Sequence, residues 1–245
     1  MLAEILARSG QTILRGLPPD GRAYWRRRFW DRDAAERHPV LAGSFIDQKA
    51  AITGYLSRYG ASAERVLEFG CGTGEFTAAA ASLTPAREIV AMDISSSALD
   101  IARQRVRHEN LRLVQGDFWA DNGVGTADLV LCVDAIHHLG DMRSVLTRLR
   151  SFVAPGGILI GNVWTADHFH EFQRMRYGPV RHATSTCAFF AAALAIRLSG
   201  GRVRARSYRT QLLPRTQVES VVRAVLGEPV SFCAQRYFMS FVCRP

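Results

Sequence analysis

The sequence predicts a doubly wound α/β fold: a largely parallel sheet covered by helices on both faces, with a helical N-terminal segment and an inserted helical cap. Three observations predict it. From about residue 64, short apolar segments alternate with helical ones. The segment Asp128-Leu-Val-Leu-Cys-Val133 has no polar face, as expected of a strand buried on both sides. The turn Gly70-Cys-Gly-Thr-Gly74 leads from an apolar strand into a helix.

Residues 1–60 read as a helical lid segment. Leu2, Ile5 and Leu6 place an apolar stripe on a first helix, from Met1 to Gly10. That helix lacks the apolar stretch and small-residue cleavage site of a signal peptide. An aromatic-basic stretch, Tyr24-Trp-Arg-Arg-Arg-Phe-Trp30, precedes a helix from Phe45 to Tyr59. Val66-Leu67 forms the first strand and Phe76 to Ser82 an Ala-rich helix. Glu88 to Met92 is a strand, Ser96 to His108 a helix, Leu111 to Gln115 a strand and Asp128 to Val133 a strand. An amphipathic helix from Asp141 to Val153 is expected to stop at Pro155-Gly-Gly157, before a strand from Ile158 to Val163.

The alternation breaks between Thr165 and Leu213, a stretch too long for a plain connection. It holds an apolar helix, Thr186 to Leu198, ended by Gly200-Gly201. Residues 165–213 are therefore read as a substrate cap, inserted into a core made of residues 61–164 and 214–245. A last helix starts at Thr216, with Thr216 and Glu219 at capping-box spacing. Val230 to Gln235 and Tyr237 to Cys243 form a closing antiparallel pair.

The bulk composition fits this organisation. A chain of 245 residues suits one α/β domain with a cap. With 48% hydrophobic and 22% charged residues, it has the apolar content to fold and is not a disordered chain. No apolar run reaches membrane-spanning length. The 5 cysteines (Cys71, Cys132, Cys187, Cys233, Cys243) are scattered and odd in number, without a C-x-x-C pair. They indicate neither a disulfide framework nor a zinc site, and a cytoplasmic location is expected. The net charge of +9 comes from arginine, with Lys49 the one lysine. A coding bias explains it better than an anionic partner such as RNA or lipid, because the arginines spread along the chain. Local runs occur at Arg26-Arg27-Arg28 and at Arg202, Arg204, Arg206 and Arg209.

The chemistry concentrates at the strand ends. A helix N-terminus after the glycine turn offers free N–H groups and the positive end of a dipole. Such a turn suits several nucleotide-like ligands, but here the spacing is G-x-G-x-G, not that of pyrophosphate sites. Glu68, two positions before Gly70, would repel a pyrophosphate and attract an ammonium or sulfonium. Asp93 ends the second strand, at the offset of a ribose ligand. Asp117 follows the third strand and can accept from an adenine amino group, between Ile94 and Phe118. Asp134 follows the fourth. Four carboxylates thus stand at the carboxyl ends of successive strands, where open α/β sheets bind ligands.

Glu68-Phe-Gly-Cys-Gly-Thr-Gly74, Asp93, Gly116-Asp-Phe118, the segment Ala127 to Leu139 and Pro155-Gly-Gly157 together resemble the class I, Rossmann-like S-adenosylmethionine-dependent methyltransferases, of the small-molecule type. The resemblance covers about residues 62–164. It implies a seven-stranded, mostly parallel sheet with a final antiparallel strand, and S-adenosyl-L-methionine as cofactor with S-adenosyl-L-homocysteine as product. It also implies Asp93 on the ribose, Asp117 near the adenine amine, and Gly70, Cys71, Gly72 and Gly74 beside the methionine part. The motifs specify the cofactor and leave the acceptor open.

Methyl transfer from a sulfonium is an in-line displacement that demands positioning and exclusion of water. A hydroxyl or phenol acceptor also needs a base. His137, with His138 beside it, is the candidate, since a similar His serves in small-molecule O-methyltransferases of this superfamily. Cation-dependent members use an Asp after strand four and an Asp-Asn pair after strand five. Asp134 and Asn162 match two of these, but Gly161 replaces the third, so no metal site is expected. Trp164, Phe169, Phe172, Tyr177 and the residues around Phe189-Phe190 suit a hydrophobic pocket or the cap's own core. The expected function is methylation of a small-molecule acceptor, at oxygen. The alternatives are methylation at nitrogen or carbon, an RNA methyltransferase, and a cofactor-binding protein without catalysis. Neither the Asn/Asp-Pro-Pro-aromatic clamp of base-amine methyltransferases nor the Pro-Cys of cytosine-C5 enzymes follows strand four. The oligomeric state is not legible.

Overall fold

The computed structural model describes residues 2–14, 21–200 and 212–245. Gly201 and the arginines at 202, 204, 206 and 209 lie outside the described residues, as does that part of the expected cap.

Four helices precede the sheet: α1 (Leu2–Ile13), α2 (Arg22–Trp25), α3 (Arg32–Glu36) and α4 (Ala42–Tyr59). Next come β1 (Arg65–Phe69), α5 (Glu75–Leu83), β2 (Glu88–Asp93), α6 (Ser96–Arg105), β3 (Leu111–Gln115) and β4 (Ala127–Cys132). They are followed by α7 (Ile136–Leu139), α8 (Met142–Ser151) and β5 (Val153–Trp164). The cap contributes α9 (Phe169–Tyr177) and α10 (Pro179–Leu198), and the chain closes with α11 (Arg215–Leu226), β6 (Ser231–Ala234) and β7 (Phe238–Cys243).

The seven strands run in the order β3-β2-β1-β4-β5-β7-β6. The first five are parallel, and β7 is antiparallel to both β5 and β6. Winding proceeds outward from β1 to β3, then crosses back to β4 on the other side of β1. This reversal opens a crevice at the carboxyl ends of β1 and β4.

Period-two alternation divides the strand side chains between two faces. On one face Leu67, Val90, Val130 and Leu159 pack with Val145, Leu146 and Leu149 of α8 and Val218 and Val222 of α11. On the other, Val66, Ile89, Leu129 and Ile160 pack with Ile52 and Leu56 of α4 and Phe76 and Ala80 of α5. A third cluster (Leu41, Phe45, Trp164, Phe172, Leu212, Tyr237 and Phe238) joins the N-terminal segment to the cap and to the end of β5. Phe45 is 1% exposed there; burying such a side chain contributes about 1.5–3 kcal/mol. That burial fixes the N-terminal segment over the crevice. Farther out, α1 packs on α10 so closely that a Cβ on Gly10 would lie 2.7 Å from the Phe189 ring.

Four local expectations are corrected. The helix expected to run to Val153 ends at Ser151, and β5 already begins at Val153. Pro155-Gly-Gly157 does not stop a helix; it lies in β5, at the irregularity between the pairs Ala127–Val153 and Leu129–Ile158. A proline without an N–H is tolerated in a strand at such a bulge. The helix expected from Thr186 starts at Pro179, because proline at the first turn has no N–H to leave unsatisfied. The Thr216–Glu219 capping box does not form: α11 begins at Arg215, whose N–H donates to Asp167 at 2.8 Å. Glu219 pairs with Arg223 at 2.9 Å instead.

Candidate functional site

A cavity of about 600 Å³ opens at the carboxyl ends of β1, β2, β3 and β4. The structure brings Glu68, Asp93, Asp117 and Asp134 to its lining, together with Gly70, Cys71, Gly72, Ile94, Phe118, His137 and His138. Gly74 is the one sequence-predicted site residue outside the lining. A Cβ on it would lie 2.9 Å from the Ala102 Cβ and 3.0 Å from Val106, so Gly74 seats α5 against α6 at a φ of 79°. Gly72, at a φ of 53°, has nothing within 4 Å of a Cβ position. The backbone there faces open space, as a surface that takes a ligand requires.

Glu68 is 1% exposed and accepts from the Thr77 hydroxyl. Among the described residues it has no cationic partner. Burial pushes its carboxyl up to about 8, against the Thr77 bond, with the charges of Asp93 and Glu75 adding to the rise. Asp93 accepts from the Gly72 N–H at 2.8 Å and the Ser95 N–H at 2.9 Å. Burial still raises its pKa, against these backbone bonds. A carboxylate offers about four lone-pair sites, so Asp93 keeps acceptor capacity. Asp117 accepts from the Trp119 N–H at 3.0 Å and meets Arg22 at 3.4 Å. Phe118 is buried edge-on to Phe69 at 5.2 Å, while Trp119 donates to the Leu139 carbonyl at 2.7 Å. Cys71 is buried, and burial raises its thiol pKa well above the ordinary value.

Asp134 stands at a φ of 56°, uncommon for a residue with a side chain. Its carboxylate accepts from Gln48 Nε2 at 2.6 Å and lies 3.4 Å from Arg32 Nη1. The same Gln48 nitrogen donates to Asn162 at 2.7 Å, and Asn162 donates to the Ser240 hydroxyl at 2.8 Å. Gln48 Nε2 thus bridges Asp134 and Asn162. Burial raises the Asp134 pKa, opposed by Arg32 and Gln48. Ion pairs continue outward: Lys49 bridges Glu36 and Glu75, and Arg105 bridges Asp33 and Glu75. They strap α3 across the start of α5.

His137 is 2% exposed, and its Nδ1 has no hydrogen-bond partner. Burial holds its pKa well below the ordinary value, with His138 adding to the effect. The His138 ring lies 4.0 Å from that of His137 and 5.0 Å from Trp25, and burial pushes its pKa down to about 3. Aromatic side chains reach the lining from the N-terminal segment (Trp25, Phe29, Trp30), from the end of β5 (Trp164) and from the helical stretch after it (Phe169, Phe172, Tyr177). The lining therefore has an acidic part, from the core, and an aromatic part, largely from the N-terminal segment and residues 164–177, and the two meet at Asp134 and Trp164.

Arg32, Gln48 and Trp119 were not singled out from the sequence. Trp119 carried a signal, being adjacent to Phe118 after the third strand. Arg32 and Gln48 carried none, since their partner Asp134 is 102 and 86 residues away.

Residues 67–159 match the family model described as a methyltransferase domain. Among curated proteins, the chain is 29% identical over 149 residues to a malonyl-[acyl-carrier protein] O-methyltransferase of Paenibacillus sp. strain JDR-2, covering 58% of this chain and 51% of that protein. It is 35% identical over 111 residues to a trans-aconitate 2-methyltransferase of Deinococcus radiodurans, covering 45% and 42%. The chain thus spans about half the length, or less, of these relatives. Among solved structures, it is similar to DhpI in complex with S-adenosylhomocysteine, with a TM-score of 0.55 at 20% identity over 87% of this chain and 92% of that one. It is also similar to the N-methyltransferase NodS of Bradyrhizobium japonicum WM9 in complex with S-adenosylhomocysteine, with a TM-score of 0.56 at 16% identity over 87% and 95%. These two likenesses speak for the fold. No helix among the described residues is long and apolar enough to cross a membrane.

Proposed function

Because the chain carries a class I S-adenosylmethionine-dependent methyltransferase domain, we propose that it transfers a methyl group to an oxygen, a hydroxyl or a phenol, of a hydrophobic small molecule. One observation carries this reading. The buried, neutral His137 lines the same cavity as a group of aromatic side chains, its ring 6.5 Å from that of Trp164.

The acidic part fits the cofactor. Glu68 is a buried carboxylate with no cationic partner among the described residues, and a Cβ on Gly72 would meet nothing within 4 Å. An ammonium or sulfonium would neutralise Glu68, while Asp93 has lone pairs left for ribose hydroxyls. Asp117 and Phe118 offer an acceptor and a ring face for an adenine. When bound, S-adenosylmethionine supplies an electrophilic methyl on sulfur.

The remaining work falls to this chain's residues. Trp164, Phe172 and Trp30 hold an apolar acceptor and exclude water, which strengthens every electrostatic interaction inside. His137 stays neutral at physiological pH, so its imidazole can take the hydroxyl proton as the new bond to oxygen forms. His138 and Trp25 brace the ring. Among the described residues no carboxylate bonds to His137, so the proton acceptor is a single imidazole and not a His–Asp pair.

Incubation with labelled S-adenosylmethionine and a panel of phenols, aliphatic alcohols, amines and polar acids tests this reading. Label recovered as methyl ether from the hydrophobic hydroxyl compounds supports it. Methylation confined to amines or to highly polar compounds refutes it.

A further inference from the structure

The charges lining the cavity are sorted by origin. Among the described residues, its carboxylates (Glu68, Glu75, Asp93, Asp117, Asp134 and Asp141) all come from the core. Among the described residues its cations are four arginines, all from outside the core: Arg22, Arg28, Arg32 and Arg176. Two are consumed internally, Arg22 by Asp117 and Arg32 by Glu36 and Asp134. Arg28 and Arg176 meet no carboxylate among the described residues.

Each of these two lies over an aromatic ring instead. The Arg28 guanidinium is 4.4 Å from the Tyr24 ring centroid, and Nη1 donates to the Tyr24 carbonyl at 3.3 Å. The Arg176 guanidinium is 4.0 Å from the Trp30 ring and 5.0 Å from that of Tyr177. A ring beneath a guanidinium holds the fork in one orientation and leaves its N–H edge for a ligand. Arg176 is also half-buried, among aromatic groups that hydrate a cation poorly. A ligand anion would offset that loss.

We propose that Arg28 and Arg176 bind a carboxylate of the acceptor, a group separate from the oxygen that is methylated. This rests on the reading that the aromatic part of the cavity receives the acceptor. The planar fork matches a carboxylate through two parallel N–H···O bonds. A dianionic group is disfavoured by the carboxylates that line the same cavity. The carboxylate is not the methylated group, because a guanidinium on its oxygens withdraws the electron density that attacks the methyl carbon. The acceptor class is then a hydroxylated aromatic acid, with its ring against the aromatic lining and its carboxylate toward Arg28 and Arg176.

The test uses para-hydroxycinnamate and para-hydroxyphenylacetate, each against its own carboxamide. Binding to the full chain saturated with S-adenosylhomocysteine is measured by calorimetry, and methyl transfer to the same compounds is measured separately. The acids should bind on the order of tenfold more tightly than the amides. Arg176→Gln and Arg28→Gln should each reduce that preference, and Arg176→Lys, which keeps the charge, should retain part of it. Equal affinity for acid and amide, no binding of either, or a preference that survives both Gln substitutions overturns the proposal. If the acids bind with the expected preference but their hydroxyls gain no methyl, the arginine assignment stands and the oxygen-methylation reading falls. If acid and amide bind and are methylated alike, that reading stands and the arginine assignment falls.

Discussion

The guanidinium of Arg32 lies 3.4 Å from the carboxylate of Asp134, tying a helix that precedes the core domain to the end of its fourth strand. Arg32 is 4% exposed and also bonds Gln48 at 2.8 Å and the Phe45 carbonyl at 3.0 Å. Removing one partner of such a pair strands the other in a dry site. Arg32→Leu should therefore destabilise the protein by about 3 kcal/mol in urea melts. Adding Asp134→Asn should recover part of that loss, because the two groups couple. Strict additivity of the two single effects would show that the pair does not hold the lid.

Glu68 predicts a pH dependence. Its folded-state pKa of about 8 stands above its ordinary 4.5. Its contribution to the stability of the free protein is therefore complete below about 4.5 and lost as pH rises through about 8. A cation in the cavity favours the ionised form. Binding of S-adenosylmethionine at pH 7 should then release close to one proton, and affinity should rise with pH up to about 8 before levelling. Calorimetry in buffers of differing ionisation enthalpy measures the proton count. Zero release would mean that Glu68 does not face the ligand's charge.

Gly72 and Gly74 of the turn should fail differently. Gly72→Ala meets open space, so its folding penalty is the backbone strain of a left-handed residue, about 1 kcal/mol, while its methyl intrudes on the cavity. It should fold and lose affinity for S-adenosylhomocysteine. Gly74→Ala adds clashes with Ala102 and Val106 to the same strain. Its loss should appear mainly in the melting temperature. Thermal shift with and without S-adenosylhomocysteine separates the two outcomes.

His137→Gln should lower kcat for a hydroxyl acceptor on the order of a hundredfold and leave S-adenosylhomocysteine affinity unchanged. In the wild type, the pH–rate profile should show no ascending limb near the ordinary histidine pKa, because burial keeps His137 neutral well below it. Unchanged kcat in the variant removes His137 as the base.

The sheet and the acidic part of the cavity were legible in the sequence because both follow local rules. Apolar segments of strand length mark β1 to β5, and each strand's last residues sit where an open α/β sheet binds ligands. Glu68, Asp93, Asp117 and Asp134 could therefore be placed by counting. Gly74 shows a limit of such counting, since a glycine that seats one helix on another and one that lets a ligand approach look alike in a motif. Pro155-Gly-Gly157 misled, because a bulge and a helix stop use the same residues.

The sequence by itself determined the fold class, the sheet's carboxyl-end acids and the candidate base, because these depend on periodicity and on neighbours along the chain. Only the tertiary structure decided what Asp134 bonds to, which arginines pair with carboxylates and which lie over rings, and that aromatic side chains from both ends of the fold share one cavity with the strand-end acids. Those are contacts between segments far apart in sequence. Side-chain reach and burial select them, and no local pattern encodes that selection.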